Sequence, residues 1–191
     1  MVYIFSAVLI TFLAIPGIDK PLFSALFWIV VVFTTLQGIS KSFIGLRKGN
    51  FAYWQQLVSP ETFLAAKLIT AFLMMFLYTL LSFIIFLIIH GNIADNALLF
   101  CLVALFVGTG ISFVFTISSS IAAKTDSAGM LLPVLSFPLN IPFLLIGIKA
   151  SKKAVDGLPL NLIIPDLLLL FGLNILILIL GIYLIKFIWK D

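Results

Sequence analysis

Residues 41–67 read KSFIGLRKGNFAYWQQLVSPETFLAAK. This is the one long polar break in a chain that is otherwise almost all apolar. It holds Lys41, Arg47, Lys48 and Lys67, four of the eleven cations, and a compact aromatic patch of Phe51, Tyr53 and Trp54. Apolar runs flank it, Leu22–Ser40 before and Leu68–Ile89 after. Each run is near the ~20 residues that a helix needs to cross a bilayer. A basic loop between two such runs reads as two spans joined on the cytoplasmic face. A short amphipathic segment in this loop can lie on the membrane surface and offer a docking site to a soluble partner. The loop ends on a helix start: Ser59 as N-cap, Pro60 at the first helical position and Glu61 in the first turn. The helix then enters the bilayer past Lys67, whose stem can snorkel back to the surface.

Composition gives the class. Hydrophobic residues make up 63% of the 191 and charged residues 9%, including twenty Phe. A soluble domain carries roughly 25% charged residues. The chain reads as an all-α integral membrane protein, with residues 1–191 as a single transmembrane permease domain and 41–67 as its cytoplasmic loop. Its net charge of +4 sits at span ends and forms no dense basic stripe, so it speaks of orientation and not of nucleic acid. Cys101 is the only cysteine, which rules out an internal disulfide. It reads as a buried structural thiol in an apolar run.

Six apolar runs follow one another: Val2–Ile15, Leu22–Ser40, Leu68–Ile89, Ala97–Ala123, Met130–Ile148 and Leu167–Ile185, the last preceded by a short apolar approach at Leu160–Ile164. The first run begins directly after Met1, lacks a basic n-region and ends on Pro16-Gly17-Ile18-Asp19-Lys20, which is not a small-residue cleavage site. It reads as a span whose cytoplasmic beginning is missing, with Met1 an internal start or a truncation point. With the N-terminus inside, the inner side receives Lys41, Arg47, Lys48, Lys67, Lys124, Lys186 and Lys190, and the outer side Lys20, Lys149, Lys152 and Lys153. Seven cations against four favour N-in and C-in, with six crossings. The outer trio Lys149, Lys152 and Lys153 runs against that bias. It reads either as interfacial snorkelling or as a contact to an acidic partner surface or ligand carboxylate.

Two runs carry unusual patterns. The fifth holds Pro133, Pro138 and Pro142 with Ser136 and Asn140 among them. Each interior proline removes a helix hydrogen bond, and in lipid the freed carbonyls must find partners within protein or a polar cavity. Ser136 and Asn140 can supply some. The pattern fits a broken helix lining a pathway or a kinked helix packed in a bundle. The fourth run places Gly108, Ser112, Thr116 and Ser120 at four-residue spacing. This small-residue stripe fits close packing within the chain, a subunit interface or the wall of a path.

Familiar chemistry is missing from the sequence. Gly45 and Gly49 flank Leu46-Arg47-Lys48, but no Gly-Lys-Ser/Thr follows. His90 is the sole histidine; it reads as interfacial or as one axial haem ligand at the outer surface. Asp95 is its neighbour in the same hairpin, and no nucleophile elbow exists. No acid lies at the centre of a run, so nothing supports a proton relay. Asn174 reads as helix packing and Asp166 as an outer interfacial residue.

The runs ALFWIVVVFTTLQGISKSF and GNFAYWQQLVSPETFLAAKLI, then SSSIAAKTDSAGMLLPVLSFPLNIPFLLIG, resemble the haem exporter protein B family. The likeness rests on Leu57, Ser59-Pro60 and Ala66-Lys67, and on the proline-rich run from Pro133 to Gly147; it covers roughly Leu22 to Lys153. Family members start with a charged cytoplasmic stretch that this sequence lacks. The resemblance implies six transmembrane helices in a type-2 ABC exporter-like permease of the bacterial inner membrane. It implies no ATPase site in the chain, with ATP held by a separate ATPase subunit. Docking of that subunit would fall on Arg47, Lys48, Phe51, Tyr53, Trp54, Leu57, Ser59 and Pro60. It further implies haem-handling membrane partners, a haem chaperone on the outer side, and haem as the ligand moved or handled, with no cofactor bound in this chain. Candidate pathway or interface residues are Gly108, Ser112, Thr116, Ser120, Pro133, Pro138, Asn140 and Pro142. Candidate outer-face contacts are Lys149, Lys152 and Lys153. Two other readings stand. A type-2 ABC permease for a lipid, drug or glycan would share the loop and the spans, and gene neighbourhood separates it. A membrane scaffold would lack an ATPase partner, and co-purification separates it.

Overall fold

The computed structural model describes residues 19–44, 57–91, 94–123, 125 and 128–190. They form five helices: α1 (Lys20–Ile44), α2 (Pro60–His90), α3 (Ala97–Ala122), α4 (Ala128–Val155) and α5 (Leu160–Lys190). Each contains a segment long and apolar enough to cross a membrane. The described residues are all-helical with no strand. The first apolar run, Val2–Ile15, lies outside the described residues, so five of the six expected spans are seen.

Successive helices run in opposite directions. One end of the bundle carries Lys20, the α2–α3 hairpin and the α4–α5 turn. The other carries the starts of α2 and α4 and the end of α5. α3 is the centre. It packs on all four other helices, and its buried residues cover the whole circumference, from Leu99 and Val103 to Ser119 and Ala122. The outer helices bury one stripe each. On α5 this is Ile163, Asp166, Leu170, Asn174, Ile177, Gly181 and Ile185. That three-and-four spacing is the signature of a helix with one face inward. Lipid-facing positions stay apolar too, as Ile69, Leu73, Leu168 and Ile179 show, so amphipathicity is weak although the inward face is sharply defined.

Many phenylalanines find their place at the Lys20 end. Phe23 and Phe27 of α1, Phe83 and Phe86 of α2 and Phe100 of α3 form one buried cluster. Phe27 and Phe100 lie 5.0 Å apart at their centroids and Phe23 and Phe86 5.5 Å, both within the range of favourable edge-on pairing. Beside them the Trp28 indole N–H donates to Ser151 Oγ at 3.0 Å, tying α1 to α4. At α3 the backbone of α4 comes close: a Cβ on Gly110 would collide with the Phe143 ring, and Gly147 sits against Val107.

Caps set the boundaries. Ser59 caps α2 and accepts from Thr62 N, with Pro60 and Glu61 following as expected. Asn96 caps α3 by accepting from Leu99 N at 3.2 Å. α4 closes with Gly157 at φ 72°, Leu158 N donating to Lys153 O and Gly157 N to Ala154 O. This is the paired closing pattern that favours glycine.

Two sequence boundaries change. The fifth run was expected to end at Ile148, but α4 continues to Val155. Lys149, Lys152 and Lys153 therefore belong to its last turns and not to a connecting loop. The approach at Leu160–Ile164 and the sixth run are one helix, with Pro165 inside it. Pro165 falls in the second turn, where its missing N–H forgoes the helix bond to Asn161 O.

Candidate functional site

The features singled out in the sequence fall at three levels of the bundle. At the Pro60 end, Leu57 and Ser59 are exposed and Pro60 half-buried. Arg47, Lys48, Phe51, Tyr53 and Trp54 lie outside the described residues. Just past the cap, Glu61 faces Lys186 of α5 at 3.5 Å, both on the surface. The Lys67 ammonium lies 5.8 Å from the Phe63 ring centroid, within cation–π range.

At mid-bundle, α4 is a single helix through all three prolines. Pro138 faces outward and Pro133 and Pro142 are half-buried, while Leu132, Ser136, Asn140, Phe143 and Gly147 form the inward face. The rings thus find room away from the core, and the residues between them keep the helix. The expected relief of the freed carbonyls by Ser136 and Asn140 is not seen among the described residues. Ser136 Oγ donates to Leu132 O at 2.8 Å, which is not a carbonyl left open by a proline. The Asn140 amide is fully buried with neither of its polar atoms paired among the described residues. Across the interface, Gly108, Ser112, Thr116 and Ser120 of α3 are buried within the chain. Their hydroxyls bond back to their own helix: Ser112 to Thr109 O, Thr116 to Ser112 O and Ser120 to Ile117 O. Asn174 links α5 to α3, its amide N–H donating to Phe106 O at 3.2 Å and Leu170 O at 2.8 Å, while Thr109 Oγ1 lies 3.3 Å from its Oδ1.

At the Lys20 end the lysines expected on the outer face have a counter-charge in the same chain. Asp166 is buried, and Lys153 and Lys149 approach its two oxygens at 2.5 and 3.1 Å. Lys153 also donates to Leu162 O at 2.8 Å. Lys152, exposed, makes no such pair among the described residues. Lys20 bonds Asp95 at 2.6 Å. Sequence reading missed the Asp166 link. The available signal was an acid early in an apolar helix, which needs a partner, and two lysines four apart on one helix face. Among the described residues no cluster of His, Cys, Asp or Glu is suited to a metal.

A family model described as CcmB protein matches residues 5–186. The chain belongs to the CcmB family. The match spans four helices and all but the last turn of α5, with the basic loop and most of the first apolar run. No curated protein and no solved structure matches the chain. As a CcmB family member the chain is a membrane protein of cytochrome c biogenesis in the haem exporter class, a component of an ABC transporter complex with partners. The five apolar helices agree with that placement.

Proposed function

We propose that this chain is the membrane permease subunit of an ABC-type complex in the inner membrane. In this reading it couples ATP hydrolysis on a separate ATPase chain to haem export or delivery, or to release of a haem-loaded chaperone. The chain itself is not the enzyme; ATP sits on the partner and haem is handled without being a resident cofactor. The observation that carries the proposal is the family match over residues 5–186.

The ATPase docks on the basic aromatic loop, from Arg47, Lys48, Phe51, Tyr53 and Trp54 to Leu57, Ser59 and Pro60. Support comes from the capped start of α2. A rigid helix that begins directly after the loop can carry a push at its first turn into the bundle, where α2 packs on α1, α3 and α5. The Pro60 end faces the cytoplasm, with N-in and C-in. Cation counts support this, because the rule weighs Lys and Arg and takes little from acids. The pairing of Lys149 and Lys153 with Asp166 explains how an outer end keeps them. Lys152, and the exposed flank of Lys149, then offer what that end has for an acidic partner.

Affinity purification in mild detergent tests the proposal. An ATPase polypeptide and haem-handling membrane proteins should co-purify. A chain that purifies alone, or with an ATPase encoded beside lipid, drug or glycan genes, would overturn it.

A further inference from the structure

Among the described residues the bundle is open along one side, between α2 and α5. Two recesses of about 500 and 380 Å³ lie there end to end and share Phe72, Phe113 and Leu178. α3 is their floor. On α2 the trough runs from Glu61 to Phe72. Eleven helical steps are ~17 Å, close to the ~15 Å hydrocarbon depth of one leaflet. The walls are almost wholly apolar. The polar pair at the deep end, Thr109 and Asn174, is engaged with each other and with backbone carbonyls. The polar groups left for a ligand are at the mouth. There Glu61 and Lys186 stand 3.5 Å apart, each about half exposed at 49% and 55%.

We propose that this trough is a binding site for one phospholipid with a zwitterionic, primary-amine headgroup, phosphatidylethanolamine. One of its two acyl chains lies against α3 and its headgroup lies across Glu61 and Lys186. The length and the apolar walls suit an extended acyl chain of one leaflet. The mouth selects the headgroup. A dipolar headgroup presents its phosphate to Lys186 and its ammonium to Glu61. A primary ammonium has three N–H donors for the carboxylate, and a trimethylammonium has none. The inference is independent of the ATPase reading.

The full chain is reconstituted in vesicles of equal parts phosphatidylethanolamine, phosphatidylcholine and phosphatidylglycerol, extracted gently and read by native mass spectrometry. One lipid per chain should persist after the looser lipids are stripped. Phosphatidylethanolamine should be retained about fivefold over each of the other two lipids, which is about 1 kcal/mol of headgroup discrimination. Glu61→Gln with Lys186→Gln should keep a lipid and lose the enrichment. Ala65→Trp, on the exposed wall of the trough, should abolish retention with unfolding temperature unchanged. If that variant fails to fold, Ile69→Trp on the same wall replaces it. No retained lipid in the wild type overturns the proposal, as does retention that simply follows vesicle composition or survives the wall variants. A photoreactive residue at position 72 that captures polypeptide instead of lipid also overturns it.

Discussion

A carboxylate early in an apolar helix needs counter-charge, and Asp166 has two lysines on it. The two are not equivalent. Lys153 is largely covered and also holds Leu162 O, whereas Lys149 is 64% exposed. Asp166→Asn should therefore destabilise the chain by about 1–3 kcal/mol, between the values for exposed and buried pairs. Lys153→Gln should cost nearly as much, and Lys149→Gln less than ~1 kcal/mol. Unfolding in detergent reads all three; equal losses for the two lysines would contradict the geometry. A second residue-scale test concerns Gly110, where an added methyl meets the Phe143 ring. Gly110→Ala should cost about 1–3 kcal/mol by overpacking. Adding Phe143→Leu should recover part of the loss, because the double change relieves the collision. Neither contact was legible in the sequence. Gly110 sat in a run already rich in small residues, and nothing local pairs position 110 with 143 or 166 with 149 and 153.

Among the elements, α2 was the easiest to read. Ser59, Pro60 and Glu61 are local signals, and local signals survive packing. Ser59→Ala should lower stability by about 1 kcal/mol and Ser59→Asp by little, as for other N-caps; equal effects of the two would remove the cap from the account. α4 was harder. Its three prolines left a broken helix and a kinked, packed one both open, and the structure has one helix running through all three. Which way a proline faces depends on the neighbours, and those are set by chain segments far away. Pro138 faces outward, so Pro138→Ala should raise stability by about 1–2 kcal/mol, less than the ~3 kcal/mol interior propensity difference. A loss of stability would mean that the outward ring is doing packing work. For α5, hydropathy alone set the run at Leu167, and Pro165 masked an uninterrupted helix from Leu160.

For the whole molecule, the alternating apolar runs made the class and the helix order legible, because lipid permits few backbone solutions. They left open which faces meet, since both lipid and core are apolar here. Orientation rests on cation counts. In a Cys101→Ser background, a cysteine at exposed Lys152 should label from outside and one at exposed Leu57 should be protected; the reverse pattern would invert the molecule. Docking rests on the aromatic loop. Replacing Tyr53 and Trp54 by Ala should weaken ATPase association by about 2 kcal/mol, the scale of a central interface anchor. The most direct test of the whole account is the level of haem-bound c-type cytochromes in cells that lack this gene. The account predicts their loss, recovery with the intact chain, and clear reduction with the Tyr53 and Trp54 double variant at normal protein level. Unchanged c-type cytochromes in the deleted cells would contradict it.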